Sequence, residues 1–95
     1  MTRDDVLAKL RALKPWLEAQ GISRVRLFGS YARDEAGPES DIDLIVELSR
    51  PMGLDFLRLE QALSEKLGVP THMITDEALT NRIIRRNALA DAIDA

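Results

Sequence analysis

Ninety-five residues with 13 Lys and Arg against 16 Asp and Glu carry a net charge of -3, and 45% of the chain is hydrophobic. This predicts one small globular domain over residues 1–95 and excludes two catalytic domains in tandem. With no cysteine there is no disulfide, no thiol nucleophile and no cysteine-bound zinc. The charged start MTRDDVLAKL lacks the apolar stretch of a signal peptide, and no apolar run approaches the roughly 20 residues of a membrane span, so a soluble, cytoplasmic protein without membrane contact is expected. Net acidity opposes direct nucleic-acid binding, with a local basic cluster at Arg82, Arg85 and Arg86 as the exception.

From Thr2 to about Gln20, Val6, Leu10, Leu13 and Leu17 form the stripe of an amphipathic helix, with Thr2 as N-cap and Asp4 and Asp5 in the first turn. Pro15 predicts a kink or break, and Gly21 ends the segment. Val25-Arg26-Leu27-Phe28 reads as a short strand stopped by Gly29-Ser30, after which Tyr31-Ala32-Arg33 begins a brief helix. Asp34 to Ser40 is a loop around Gly37-Pro38. Asp41 to Leu48 is the second strand: Ile42, Leu44, Val46 and Leu48 share one face, and Asp41 and Asp43 the other. Phe56, Leu59, Leu63 and Leu67 have helical spacing before the Gly68 stop, and Val69 to Ile74 is a third strand. Thr75 or Asp76 caps a last helix with Leu79, Ile83, Leu89 and Ile93 on its apolar side. The order α-β-α-β-α-β-α predicts an α/β (α+β) fold, a small mixed sheet flanked by helices.

The chemistry concentrates in two places. Asp41 and Asp43, one residue apart on a strand, point the same way with Cα atoms about 6–7 Å apart, so their carboxylates can converge on a divalent cation that relieves their repulsion. Gly29-Ser30 supplies the complement, because glycine admits close backbone approach while Ser30 adds a hydroxyl and the following helix N-terminus adds amide donors for a phosphate. Either feature alone is ordinarily a solvated pair or a plain turn. Together they form the spacing Gly-Ser, ten residues, Asp-x-Asp.

That spacing within GSYARDEAGPESDIDLIVEL resembles the signature of the minimal nucleotidyltransferases of the DNA polymerase β superfamily. The leading helix, the Gly53-Leu54-Asp55-Phe56 helix and the Ile74-Thr75-Asp76-Glu77-Ala78-Leu79 segment are similar too. The resemblance implies the nucleotidyltransferase (polymerase β-like) fold and a two-metal transfer of AMP from ATP to an acceptor hydroxyl, with pyrophosphate leaving and Mg²⁺ (two ions; Mn²⁺ as the alternative) as cofactor. It implies Asp41 and Asp43 as metal ligands, and Gly29 and Ser30 as holders of the triphosphate. Arg33 either assists them or forms a surface ion pair with Asp34 or Glu35. No role falls to Tyr31.

The family ordinarily draws a third carboxylate from the next strand, where this chain has His72. Imidazole is a poor ligand for Mg²⁺ and a better one for Mn²⁺ or Zn²⁺, and its pKa also suits a general base. Glu47, four residues along the strand from Asp43, is too distant to replace the missing acid, and Asp76 and Glu77 read as helix-start residues. Stand-alone relatives are commonly antitoxins that adenylylate a tyrosine of a HEPN-domain ribonuclease toxin and associate with it. The resemblance therefore implies a toxin partner in a hetero-oligomer, a nucleoside triphosphate substrate, and two alternatives: a protein adenylyltransferase, or an impaired relative that neutralises the toxin by covering it. A transferase acting on RNA ends is opposed by the acidic charge and the lack of a basic, aromatic-lined surface.

Overall fold

Alternate apolar residues at Ile42, Leu44 and Val46 place the second strand at the heart of a sheet. A computed structural model describes residues 1–79 and 82–95, apart from the side chains of Ile83 and Ile84. Its elements are α1 (Arg3–Gln20), β1 (Ile22–Phe28), β2 (Ile42–Leu48), α2 (Asp55–Leu67), β3 (Thr71–Thr75), a 3-10 turn (Asp76–Ala78), α3 (Arg82–Asp91) and β4 (Ile93–Asp94). The sheet order is β3-β2-β1-β4, with β1 antiparallel to β2 and β4, and β3 parallel to β2. This is the small mixed sheet flanked by helices that the element order predicts.

One face of the sheet, with Val25, Leu27, Ile42, Leu44, Val46 and Met73, packs against α1 and α2. The helices contribute Val6, Leu10 and Leu17, and Leu59, Leu63 and Leu67, to one buried cluster. On the opposite face, among the described residues, Ile45, Leu79 and Ala88 form a buried cluster, edged by Phe28, Ile74 and Leu89. The expected alternation therefore holds: Asp43 lies on the thinly covered face. The outer edge of β3 is blunted by α2. Ser64 Oγ accepts from the Thr71 amide at 2.9 Å and Glu60 Oε2 from the Met73 amide at 2.8 Å.

Several local expectations give way. α1 runs unbroken through Pro15, because Pro15 is on the exposed side, where water can take up the freed carbonyl while Leu10 and Leu17 anchor the buried side. Its start follows the sequence: Thr2 Oγ1 accepts from the Asp5 amide at 3.2 Å and Asp5 Oδ2 from the Thr2 amide at 2.9 Å, and those bonds lower the Asp5 pKa. β1 begins at Ile22, three residues early, since pairing with β2 extends to Ile22↔Leu48. The third strand starts at Thr71 rather than Val69. Tyr31-Ala32-Arg33 forms a hydrogen-bonded turn, not a helix: Arg33 N donates to Gly29 O, Asp34 N to Tyr31 O and Glu35 N to Ser30 O, and Asp34 adopts φ 58°. Thr75 caps the 3-10 turn, with its hydroxyl accepting from the Ala78 amide at 3.3 Å. The last helix is shorter than its apolar spacing predicts, and Ile93 leaves it to pair with Leu27 in β4. The Ile83 side chain lies outside the described residues.

Candidate active site

The register of the three strands brings Phe28, Asp43 and His72 into one row across the thinly covered face. Asp41 stands just before β2, and its Oδ2 accepts from His72 Nε2 at 3.0 Å. His72 is exposed and Asp41 only partly covered, so this pair opens to solvent. Asp43 is half-buried. Burial pushes its carboxyl above the ordinary value of 3.8; His72 pulls it down, Asp41 pushes it up further, and Arg33 lowers it, with the net shift upward. A carboxylate held in this way, beside a second one, gains most from a cation.

Gly29 explains how the turn closes over that carboxylate. Its φ is 77°, and a Cβ built there would stand 2.7 Å from Asp43 Oδ2. Any side chain at this position would strain the backbone and displace the Asp43 carboxylate. The turn then folds back on itself through the carbonyls of Gly29, Ser30 and Tyr31. Among the described residues no hydrogen bond engages the amides of Ser30, Tyr31 and Ala32 or the Ser30 hydroxyl. These donors are left available for an anion, in a turn rather than at the expected helix N-terminus.

Arg33 lies beside the turn but is engaged. Its Nε donates to Glu35 Oε2 and one terminal nitrogen to Asp91 Oδ2 of α3, both at 3.0 Å, and these bonds raise its pKa. The ion pair expected with Asp34 or Glu35 therefore forms with Glu35. Asp91 joins it from 58 positions away, a contact that no local spacing announces. Phe28, Gly29, Arg33, Asn87, Ala88 and Asp91 line a shallow cavity of about 260 Å³ next to the turn. The Tyr31 side chain is buried in the core.

The other carboxylates are placed elsewhere. Glu47 pairs in register with Arg24 at the far end of β2. Asp76 is taken up by Arg85, which donates to its carbonyl at 3.0 Å and its Oδ2 at 3.2 Å, while Arg26 approaches its Oδ1 at 3.8 Å. Of the basic residues Arg82, Arg85 and Arg86, Arg85 is thereby engaged, while Arg82 and Arg86 are exposed. The donor chemistry of Asp41 and Asp43 fits a divalent cation. Among the described residues, though, no three His, Asp or Glu side chains are drawn together closely enough to hold one ion. Among the same residues, no helix is long and apolar enough to cross a membrane.

Known proteins resemble this chain over nearly its whole length. The protein adenylyltransferase MntA of Thermococcus cleftensis is 32% identical over 87 residues, 90% of this chain and 88% of that protein. A solved "putative minimal nucleotidyltransferase" superposes with a TM-score of 0.78 at 37% identity, covering 98% of this chain and 95% of its own. A toxin-antitoxin crystallised with AMP-PNP shares the fold at a TM-score of 0.68 and 18% identity, covering 99% of this chain and 72% of that one. Residues 9–94 match the model of the nucleotidyltransferase domain, and the chain belongs to that family.

Proposed function

We propose that this chain is a cytoplasmic, one-domain antitoxin that works as a protein adenylyltransferase, moving AMP from ATP to a tyrosine of a HEPN-domain ribonuclease toxin. The observation that carries the reading is the Gly29 turn closed over Asp43, with Asp41 beside it. A scaffold without chemistry has no reason to hold two repelling carboxylates, one half-buried, beneath a phosphate-sized nest of amides. The adenylyltransferase relative and the toxin-antitoxin fold neighbour support the substrate class and the partner.

Asp41 and Asp43 would hold the divalent metal, which when bound neutralises phosphate charge and polarises the reacting phosphorus. The amides of Ser30, Tyr31 and Ala32 and the Ser30 hydroxyl bind the triphosphate tail and fix its orientation. Arg33 adds a charge-assisted bond once a phosphate competes with Asp91. The tyrosine oxygen bonds to the α-phosphorus, the bond to the pyrophosphate oxygen breaks, and the hydroxyl proton passes to solvent. Buried Tyr31 is not the acceptor.

A second reading, neutralisation by complex formation alone, is favoured by His72 in register with Asp43, where a carboxylate would complete the site. Intact-protein mass spectrometry of the toxin incubated with this chain, ATP and a divalent cation separates the two. An AMP increment lost in Asp43→Asn establishes the transferase. Undiminished neutralisation by Asp43→Asn, with no increment on the toxin, leaves covering as the function.

A further inference from the structure

We infer that the outer face of α2 is a homodimer surface, on which a second copy of this chain lays its own α2 antiparallel. The inference goes beyond the transferase reading and does not depend on it, because α2 covers the sheet face opposite Asp43 and leaves the active site of each copy uncovered. Among the described residues the exposed large hydrophobic side chains are Met1, Leu54 and Leu57. The last two, exposed by 78% and 61%, stand together at the start of α2. Leu54 already has a helical backbone, φ -66° and ψ -20°, so it continues the wheel of α2. On that wheel Leu54, Leu57, Arg58, Gln61 and Glu65 share the arc opposite the buried Leu59, Leu63 and Leu67, and all five are exposed.

Charge selects the occupant. Arg58 and Glu65 lie about two turns apart on nearly the same line of the helix. A two-fold axis beside Gln61 therefore sets Arg58 of each copy against Glu65 of the other. Arg58 is free to change partner, since its contact with Asp55 is 3.8 Å long and largely exposed. A uniformly acidic or basic partner would satisfy one of the two charges and oppose the other, whereas a second copy satisfies both. In the same register Leu54 reaches the far end of the facing helix, at Gly68 and Pro70. A Cβ built on Gly68 would meet nothing within 4 Å and Pro70 is exposed, so that end has room for the leucine. Leu57 lies against Gln61 and Ser64 of the other copy.

Sedimentation velocity of the full chain alone, from about 10 to 500 μM, tests this, because a contact of this small size associates in the micromolar range or more weakly. We expect a monomer–dimer equilibrium that Leu57→Glu weakens about thirtyfold or more. Arg58→Glu and Glu65→Arg should each weaken it about tenfold by setting like charges face to face. The double variant exchanges the two charges and should regain most of that loss. All three side chains are exposed, so every variant should keep the parent circular dichroism. A chain monomeric at every concentration, a dimer that survives Leu57→Glu, or a double variant no tighter than the single ones would overturn the inference. So would a chain that is monomeric alone yet loses its complex with the toxin in Leu57→Glu, a result that would give this face to the toxin.

Discussion

The two faces of the sheet are built for different ends. Against α1 and α2 the sheet presents aliphatic side chains alone at its centre, and Leu10, Leu27, Ile42, Leu44 and Leu63 are wholly buried there. On the α3 side, among the described residues, Ile45, Leu79 and Ala88 form a buried cluster edged by Phe28, Ile74 and Leu89, and charged groups stand beside it: Asp43, His72 and Arg26 on the strands, Asp76 and Arg85 above them. Folding free energy accumulates on the first face. The second tolerates a half-buried carboxylate, whose charged form burial disfavours, beside a glycine whose positive φ other residues rarely adopt.

The sharpest test of this division is Asp43→Asn. AMP transfer should drop by about a thousandfold or more, read by toxin mass, because the metal loses its best-placed ligand. The same variant should be more stable than the parent at neutral pH. Burial raises the folded-state pKa of Asp43 above its unfolded value of 3.8, so the folded chain binds the proton more tightly. Stability contributed by this group is therefore greatest below 3.8, falls as pH rises through the raised pKa, and stays lower above it. Melting curves from pH 3 to 8 should show the parent losing stability relative to the variant across that window. A variant less stable at pH 7 would break the contrast between the faces.

Leu63→Ala on the closed face should do the reverse. It should cost about 3 kcal/mol in denaturant unfolding, with transfer per folded molecule unchanged. Gly29→Ala touches both properties. The positive φ should cost about 1–2 kcal/mol, and the new methyl, 2.7 Å from an Asp43 oxygen, should remove most activity and weaken divalent-cation binding. The smallest effect is expected from Asp91→Asn. Freeing Arg33 from α3 should tighten ATP binding about two- to fivefold by calorimetry, and an unchanged affinity would mean that Arg33 has no hand on the triphosphate.

Much of the site was legible along the chain because its parts are local. Gly29 and Ser30 sit where a strand must stop, and Asp41 and Asp43 share a face by the two-residue period of a strand. Thr2 and Gly21 bracket α1 as their backbone preferences demand. The misreadings share a cause as well. Pro15 is harmless only because its side of the helix faces solvent, which depends on how α1 docks. Tyr31-Ala32-Arg33 fails to become a helix because the turn is closed by its own carbonyls and Tyr31 is drawn into the core. Ile93 continues a helical spacing but finds a free strand edge at Leu27.

The order of elements, the apolar stripes and the spacing from Gly29-Ser30 to Asp41-Ile42-Asp43 were determined by the sequence itself, since each follows from interactions within a few residues. Only the tertiary structure decided which groups meet across long separations. Strand register delivered His72 to the two aspartates, α3 delivered Asp91 to Arg33 and Arg85 to Asp76, and α2 delivered Glu60 and Ser64 to the edge of β3. Those meetings depend on packing two helices on one face and a third on the other, and no local period encodes them.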